Sequence, residues 1–407
     1  MTGTQTSTVE NPTEGPYWDP FDESLKNDPH PIWRRLREEA PVYHNERYGF
    51  YALSRYEDVE RAHREPKRYS SAHATVLEMM TDDAQREGMM IFLDPPEHTV
   101  LRRLVSKAFT PRRVASLEDE IRSLCATLLD PFSGSSGFDY VQDFGAKLPA
   151  YVIAALLGVP PSDRETVRHH IDQMFHIEPE VGMVNEVSAG GTGWVAQYLD
   201  QLLDERRITP RDDMLSDLVQ AEFTDQTGVT RRLTPRESTE FGLLIISAGT
   251  ETVARLLGWA GLLLADHPDQ RAELVGDASL IPNAIEELLR YESPSPVQAR
   301  WLTEEVELHG TVIPVDSKVL LLTGSAGRDG RVYPDADRFD ILRDRTVHVA
   351  FGYGIHFCLG AALARMEGRL ALEETLKRFQ EWTVDKDLAV PLHTSTVRGY
   401  KELPILL

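Results

Sequence analysis

The chain has 407 residues, 43 Lys and Arg against 65 Asp and Glu, and a formal net charge of −22 at pH 7. With 41% hydrophobic and 27% charged residues it has the make-up of a soluble globular protein of one large or two ordinary domains, which excludes a disordered chain. The acidity argues against nucleic acid or anionic membrane as the main partner, and the two cysteines leave neither a disulfide framework nor a four-ligand zinc site.

In chain order, the opening "MTGTQTSTVENPTEGPYWDP" has no basic n-region and no apolar h-region, so neither signal peptide nor anchor is expected. Residues 1–20 are expected to form a flexible segment ahead of a single domain over 21–407, in a cytoplasmic setting that suits the scarcity of cysteine. Between Glu97 and Glu118 come Arg102, Arg103, Lys107, Arg112 and Arg113 with no acid among them. Taken alone, such a run is a solvated face. The stretch "LEDEIRSLCATLLD" that follows reads as a helix in which Cys125 is a buried packing residue.

The longest apolar run, "FGLLIISAGTETVARLLGWAGLLLA" at 241–265, is long enough to suggest a membrane span, but Glu251 and Arg255 sit in its middle, each costing about 2.5–3.5 kcal/mol at a bilayer centre. A buried central helix fits better. Thr234, Pro235 and Glu237 make a capping box at its start, and Asp266, His267 and Pro268 mark its end. Within it, Ala248, Gly249, Thr250, Glu251 and Thr252 break the apolar pattern, which marks either a functional site or a notch where another helix crosses. Further on, "PNAIEELLRYESPSP" at 282–296 reads as a short helix stopped by prolines. Arg290 can meet Glu287 or Glu286 on one face, and its apolar stripe of Ala284, Ile285, Leu288 and Leu289 lies opposite Glu287 and Arg290, so spacing alone favours an exposed salt bridge.

The stretch "HVAFGYGIHFCLGAALARMEGRL" at 348–370 sets Cys358 among Gly352, Gly354 and Gly360, just before a helix expected over Leu359–Leu370. A helix N-terminus favours an anionic sulfur, and glycines let a backbone turn sharply or lie close to a flat ligand. The plain alternative is a buried structural cysteine with turn glycines.

Three motifs together resemble the cytochrome P450 family: the acid and alcohol pair at 248–252, the Glu-x-x-Arg pair at 287 and 290, and Phe-Gly-x-Gly-x-His-x-Cys-x-Gly from Phe351 to Gly360. The last is specific, with six set positions in ten residues, and the resemblance spans nearly the whole chain. It implies a mainly α fold with a smaller β-rich lobe (α+β) and a long central helix over haem b, with Cys358 as the thiolate ligand of the iron. Phe351, Gly352 and Gly360 on the cysteine side, and Ala248 and Gly249 on the helix side, are implied to lie against the haem. Its two propionates are implied to be held by His98, Arg102, Arg300 and His356. Glu287 and Arg290 become a buried structural network completed by Arg338.

The activity implied is a monooxygenase that uses O2, with Thr252 hydrogen-bonding oxygen or water at the haem and Glu251 linking that network to bulk protons. Electrons are implied to come from a separate ferredoxin or flavodoxin with its reductase, since no dinucleotide fingerprint follows an expected strand. An acidic donor would dock on Arg103, Lys107, Arg112 and Arg113. Family positions lining the substrate pocket fall on Met79, Met80, Met89, Met90, Leu244, Ala248, Val297 and Thr396. Methionine adapts to irregular apolar shapes, which suits a medium-sized terpenoid, steroid or macrolide-like molecule. A fatty-acid hydroxylase, a peroxygenase and a haem-binding sensor are the alternatives, and the chain is expected to act as a monomer without nucleic acid or membrane.

Overall fold

The computed structural model describes residues 15–26, 28–84, 89–106, 109–178, 181–344 and 347–407. Its organising element is the helix Pro235–Asp266, 32 residues long. The capping box forms as expected: Glu237 N donates to Thr234 Oγ1 at 3.2 Å, and Thr234 N donates to Glu237 Oε2 at 2.7 Å. Such a cap is worth about 1 kcal/mol. The helix is long and apolar enough to cross a membrane, yet 72% of its most apolar window is buried inside the protein. Helices Lys147–Leu157, Glu186–Ile208 and Ala361–Arg378 pack around it, so its apolar surface meets protein on nearly every side.

A smaller β-rich lobe stands beside this helical body. Five strands pair in the order Val42–Asn45, Phe50–Leu53, Lys318–Leu321, Gln298–Leu302 and Tyr69–Ser70, with the second and third parallel and the other neighbours antiparallel. Trp18, Trp33, Phe50 and Trp301 fill one apolar cluster under this sheet, while a larger cluster surrounds the central helix. Near the C-terminus, strands Val390–His393 and Arg398–Glu402 form an antiparallel hairpin.

Three expectations change. The leading segment does not stay loose as far as residue 20, because Trp18 is buried, its carbonyl accepts from Tyr43 Oη and Asn45 Nδ2, and the Pro20 carbonyl bonds His393. Residues 1–14 lie outside the described residues. The helix after Cys358 runs Ala361–Arg378 with Gly360 as its N-cap, so it starts later and runs further than expected. The short helix spans Ile281–Tyr291 and buries Glu287 and Arg290 along with its apolar stripe.

Candidate active site

The site is built from the cysteine loop outward. Cys358 N donates to the Phe351 carbonyl at 2.9 Å, which folds the loop back on itself ahead of the helix. Burial pushes the Cys358 thiol up, and the backbone N–H of Gly360, the charges of Arg102 and Arg365 and the N–H of Ala361 oppose that rise. These are the groups that stabilise a thiolate at a helix start. Gly354 has φ +67°, and a Cβ there would lie 2.5 Å from the His63 carbonyl, so this turn position requires glycine on both counts. Arg365 stacks over the Phe351 ring at 4.6 Å and holds Glu286, with Nε 2.6 Å from Oε1, while His348 Nε2 lies 3.2 Å from Oε2. Burial raises the Glu286 carboxyl, but His348 and Arg365 overcome it and hold it at about 2. Glu286 thus ties the loop to the short helix, a role its spacing from Arg290 did not suggest.

On the central helix, Leu244 and Thr252 are partly open and Ala248 is exposed, four residues apart on one face of an otherwise buried element. A Cβ at Gly249 would lie 2.5 Å from Ile153 Cδ1, so its missing side chain makes room for a helix crossing. Thr252 Oγ1 donates to the Ala248 carbonyl at 2.9 Å, and Glu251 is buried against Arg255.

Four elements bring together polar groups of which several have no hydrogen-bond partner among the described residues. His98 and Arg102 come from helix Glu97–Ser106, Arg300 from a sheet strand, His356 from the cysteine loop, and His63 from helix Tyr56–Arg64. The His98 and His356 rings are 4.1 Å apart. Both ring nitrogens of His98, and Nε2 of His356 and of His63, are buried with no hydrogen-bond partner among the described residues. Burial lowers His98 to about 4, with Arg102 adding to the effect, and lowers His63 to about 3 with help from Arg300. Arg300 is buried and lowered to about 10, opposed by Asp94. Arg102 spends one N–H on the Phe357 carbonyl at 2.5 Å. Buried donors with nothing to bind are costly unless an anion completes them. A flat macrocycle bearing two carboxylates, set between the cysteine loop and the open helix face, meets that need, so haem fits these residues. His63 was not singled out from the sequence; its place on a strongly amphipathic helix hides it as an ordinary surface residue.

The Glu-x-x-Arg pair is a buried network. Arg290 Nε and one terminal nitrogen each lie 2.7 Å from a Glu287 carboxylate oxygen, and its other terminal nitrogen donates to the carbonyls of Gly327 and Ala336. The third member of the network is not Arg338, whose side chain is 69% exposed and which offers only its carbonyl to Arg290. It is Arg343, with Nε 3.2 Å from Glu287 Oε1. Four residues separate the two arginines, and the turn through Asp340, whose N–H also binds Glu287, decides which one reaches inward.

The expected pocket residues lie at the seam between the two lobes. Met80 and Val297 belong to the cluster under the sheet, Met90 is in the cluster around the central helix, Leu244 packs on that cluster, and Met89 packs on both. Thr396 is buried at the hairpin turn. Met79 is 40% exposed. Of the expected docking residues, Arg103 and Arg112 are exposed, Arg113 is paired with Asp217, and Lys107 lies outside the described residues.

The family model for cytochrome P450 matches residues 192–398. Cytochrome P450 107B1 of Saccharopolyspora erythraea is 37% identical over 400 residues, covering 95% of this chain and 96% of its own. The vitamin D(3) 25-hydroxylase of Pseudonocardia autotrophica is 36% identical over 396 residues, covering 96% of each. Among solved structures, CYP109E1 from Bacillus megaterium in complex with corticosterone superposes with a TM-score of 0.83 at 30% identity, covering 94% of this chain and 99% of that one. Sequence, fold and the thiolate loop thus agree, and the chain belongs to the cytochrome P450 family, as a monooxygenase that carries haem b on the Cys358 thiolate.

Proposed function

We propose that this enzyme inserts one oxygen atom into an unactivated bond of a medium-sized hydrophobic molecule of terpenoid, steroid or macrolide-like size. The reaction balances as substrate R–H, O2, two electrons and two protons giving R–OH and water. Haem b, when bound, supplies the oxygen chemistry. The chain's own residues supply the rest. His98, Arg102, Arg300 and His356 hold the two propionates, with Nε2 of His63 as a further donor, while Phe351 and the cysteine-loop glycines flank the sulfur. Thr252 Oγ1 orders a hydrogen bond on the open face of the central helix, and the Glu251 carboxylate passes protons toward it. Met80, Met89, Met90, Leu244, Ala248, Val297 and Thr396 shape the apolar pocket and keep water out.

The observation that carries this reading is the open stripe Leu244, Ala248 and Thr252 on a buried helix, with an acid beside its alcohol. The vitamin D(3) hydroxylase and the corticosterone complex among the relatives support a substrate of that size. Electrons come from a separate ferredoxin or flavodoxin that docks near Arg103 and Arg112. The chain from Trp18 onward acts as one catalytic unit, a monomer in the cytoplasm.

Reconstituted turnover over a panel of terpenoids, steroids, macrolides and fatty acids tests the reading, with product counted against reduced nicotinamide consumed. The expected result is product from a member of the first three classes, and Thr252→Ala releasing hydrogen peroxide in place of product while still binding substrate. Turnover of linear fatty acids alone would replace the substrate class, and unchanged coupling in Thr252→Ala would remove the proton role.

A further inference from the structure

Glu251 does not reach freely toward solvent. Arg255, one helical turn on, places Nε 2.9 Å and a terminal nitrogen 2.8 Å from Glu251 Oε1, and the two side chains are only 11% and 7% exposed. The other terminal nitrogen of Arg255 donates to the Tyr400 carbonyl on the hairpin strand Arg398–Glu402. The stem of Arg255 crosses that strand at Gly399, where a Cβ would lie 2.7 Å from Arg255 Cδ. The strand is docked on the same helix by the Tyr400 ring, 5.1 Å from that of Trp259, and by Trp259 Nε1 donating to the Arg398 carbonyl at 3.2 Å. Its turn carries Thr396 and bonds through Ser395 to Glu78, in the segment leading to the pocket methionines.

Stability alone does not account for this arrangement, since a buried ion pair is often no better than an apolar pair of similar volume. A guanidinium that binds an acid with one edge and a neighbouring strand with another does impose an orientation. Beyond the pair, Asp172 at the end of helix Arg164–Met174 is half-exposed. Burial raises its carboxyl against the pull of Arg168, and the charge of Glu251 adds to the rise.

We propose that Arg255 is a positioning residue for proton delivery: it holds the Glu251 carboxylate against the C-terminal hairpin and so makes delivery respond to what occupies the pocket beside Thr396. The inference rests on Glu251 being the proton-passing acid. Arg255 is not itself a catalytic residue. A molecule pressing on the hairpin turn shifts the strand that fixes Arg255, and the Glu251 carboxylate gains or loses freedom to turn toward Thr252.

The test uses the haem-loaded enzyme in four forms: Arg255→Gln, Arg255→Lys, Glu251→Gln and the double variant Glu251→Gln with Arg255→Gln. Coupling of product to reductant and the solvent deuterium isotope effect on turnover are measured, alongside thermal stability and the reduced carbon monoxide spectrum. Arg255→Gln should keep the normal spectrum and the substrate-induced Soret shift, yet lower coupling and change the isotope effect by about twofold or more. Arg255→Lys, which keeps the charge, should recover part of both, and the double variant should look like Glu251→Gln alone. Independent, additive effects in the double variant would overturn the proposal, as would lower thermal stability with unchanged coupling and isotope effect. If Arg255→Gln loses haem, Arg255→Lys decides: parental coupling and isotope effect would overturn it, partial loss would support it. A silent Glu251→Gln would bring down the proton reading itself, and the inference with it. Loss in Glu251→Gln with none in either Arg255 variant would bring down the inference alone.

Discussion

At Cys358 a burial penalty on the anion is set against a backbone N–H at a helix start and two nearby arginines. At Cys125, fully buried, burial dominates and pushes the thiol up to about 12. Both thiols are thus raised by burial, and Cys358 differs in having backbone N–H groups of a helix start turned against that rise. Cys358→Ala should abolish the strongly red-shifted Soret band of the reduced carbon monoxide complex, and Cys125→Ser should leave it in place; absorption spectra of the two variants decide it. His63 is the residue-scale addition. A neutral imidazole with a buried, unpartnered Nε2 beside Arg300 is a donor awaiting an acceptor, and a hydrogen bond to a charged group is worth about 1.5–3 kcal/mol. His63→Leu should therefore release haem about tenfold faster or more, measured by transfer to an acceptor apoprotein, while His63→Gln keeps a donor and loses less. Equal haem release in parent and His63→Leu would place the ring among packing residues.

At the scale of the element, the short helix Ile281–Tyr291 has two jobs. Through Glu286 it holds Arg365 and His348 around the cysteine loop, and through Glu287 and Arg290 it fixes the carbonyls of Gly327, Ala336 and Arg338. Removing one partner from a buried pair leaves the other charge unpaired, which costs about 3–5 kcal/mol. Glu287→Ala should lower thermal stability by that order and lose haem. Arg343→Ala should follow in the same direction and Arg338→Ala should not, because only the carbonyl of Arg338 is used. Thermal denaturation of the three variants separates a network completed by Arg343 from one completed by Arg338.

At the scale of the molecule, a net charge of −22 makes any exposed basic area conspicuous to an acidic partner. Arg103 and Arg112 are exposed, on the same stretch of chain as Arg102, which reaches the cysteine loop; Arg113 is already tied to Asp217. Charge reversal at Arg103 and Arg112 should slow reduction by an acidic ferredoxin at low ionic strength and flatten its salt dependence, without altering substrate affinity. Stopped-flow reduction across a salt series checks this, and parental kinetics at low salt would move the docking face elsewhere.

Local chemistry was legible from the sequence alone. The capping box and the central helix it opens depend on residues a few positions apart, and each formed where its spacing pointed. The family followed from motif spacing for the same reason. Contacts between distant parts of the chain were not legible. The periodicity of Ile281–Tyr291 put Glu287 on the solvent side, and only the segment folding back through Asp340 and Arg343 buries it. That Gly249 also makes room for Ile153, nearly a hundred residues earlier, is visible only in the fold. His63 and Arg255 acquire their meaning from Arg300 and Tyr400 in the same way. A polar side chain's role is set by whichever donor or acceptor shares its buried space, and spacing along the chain carries that information only within a helical turn or a tight loop.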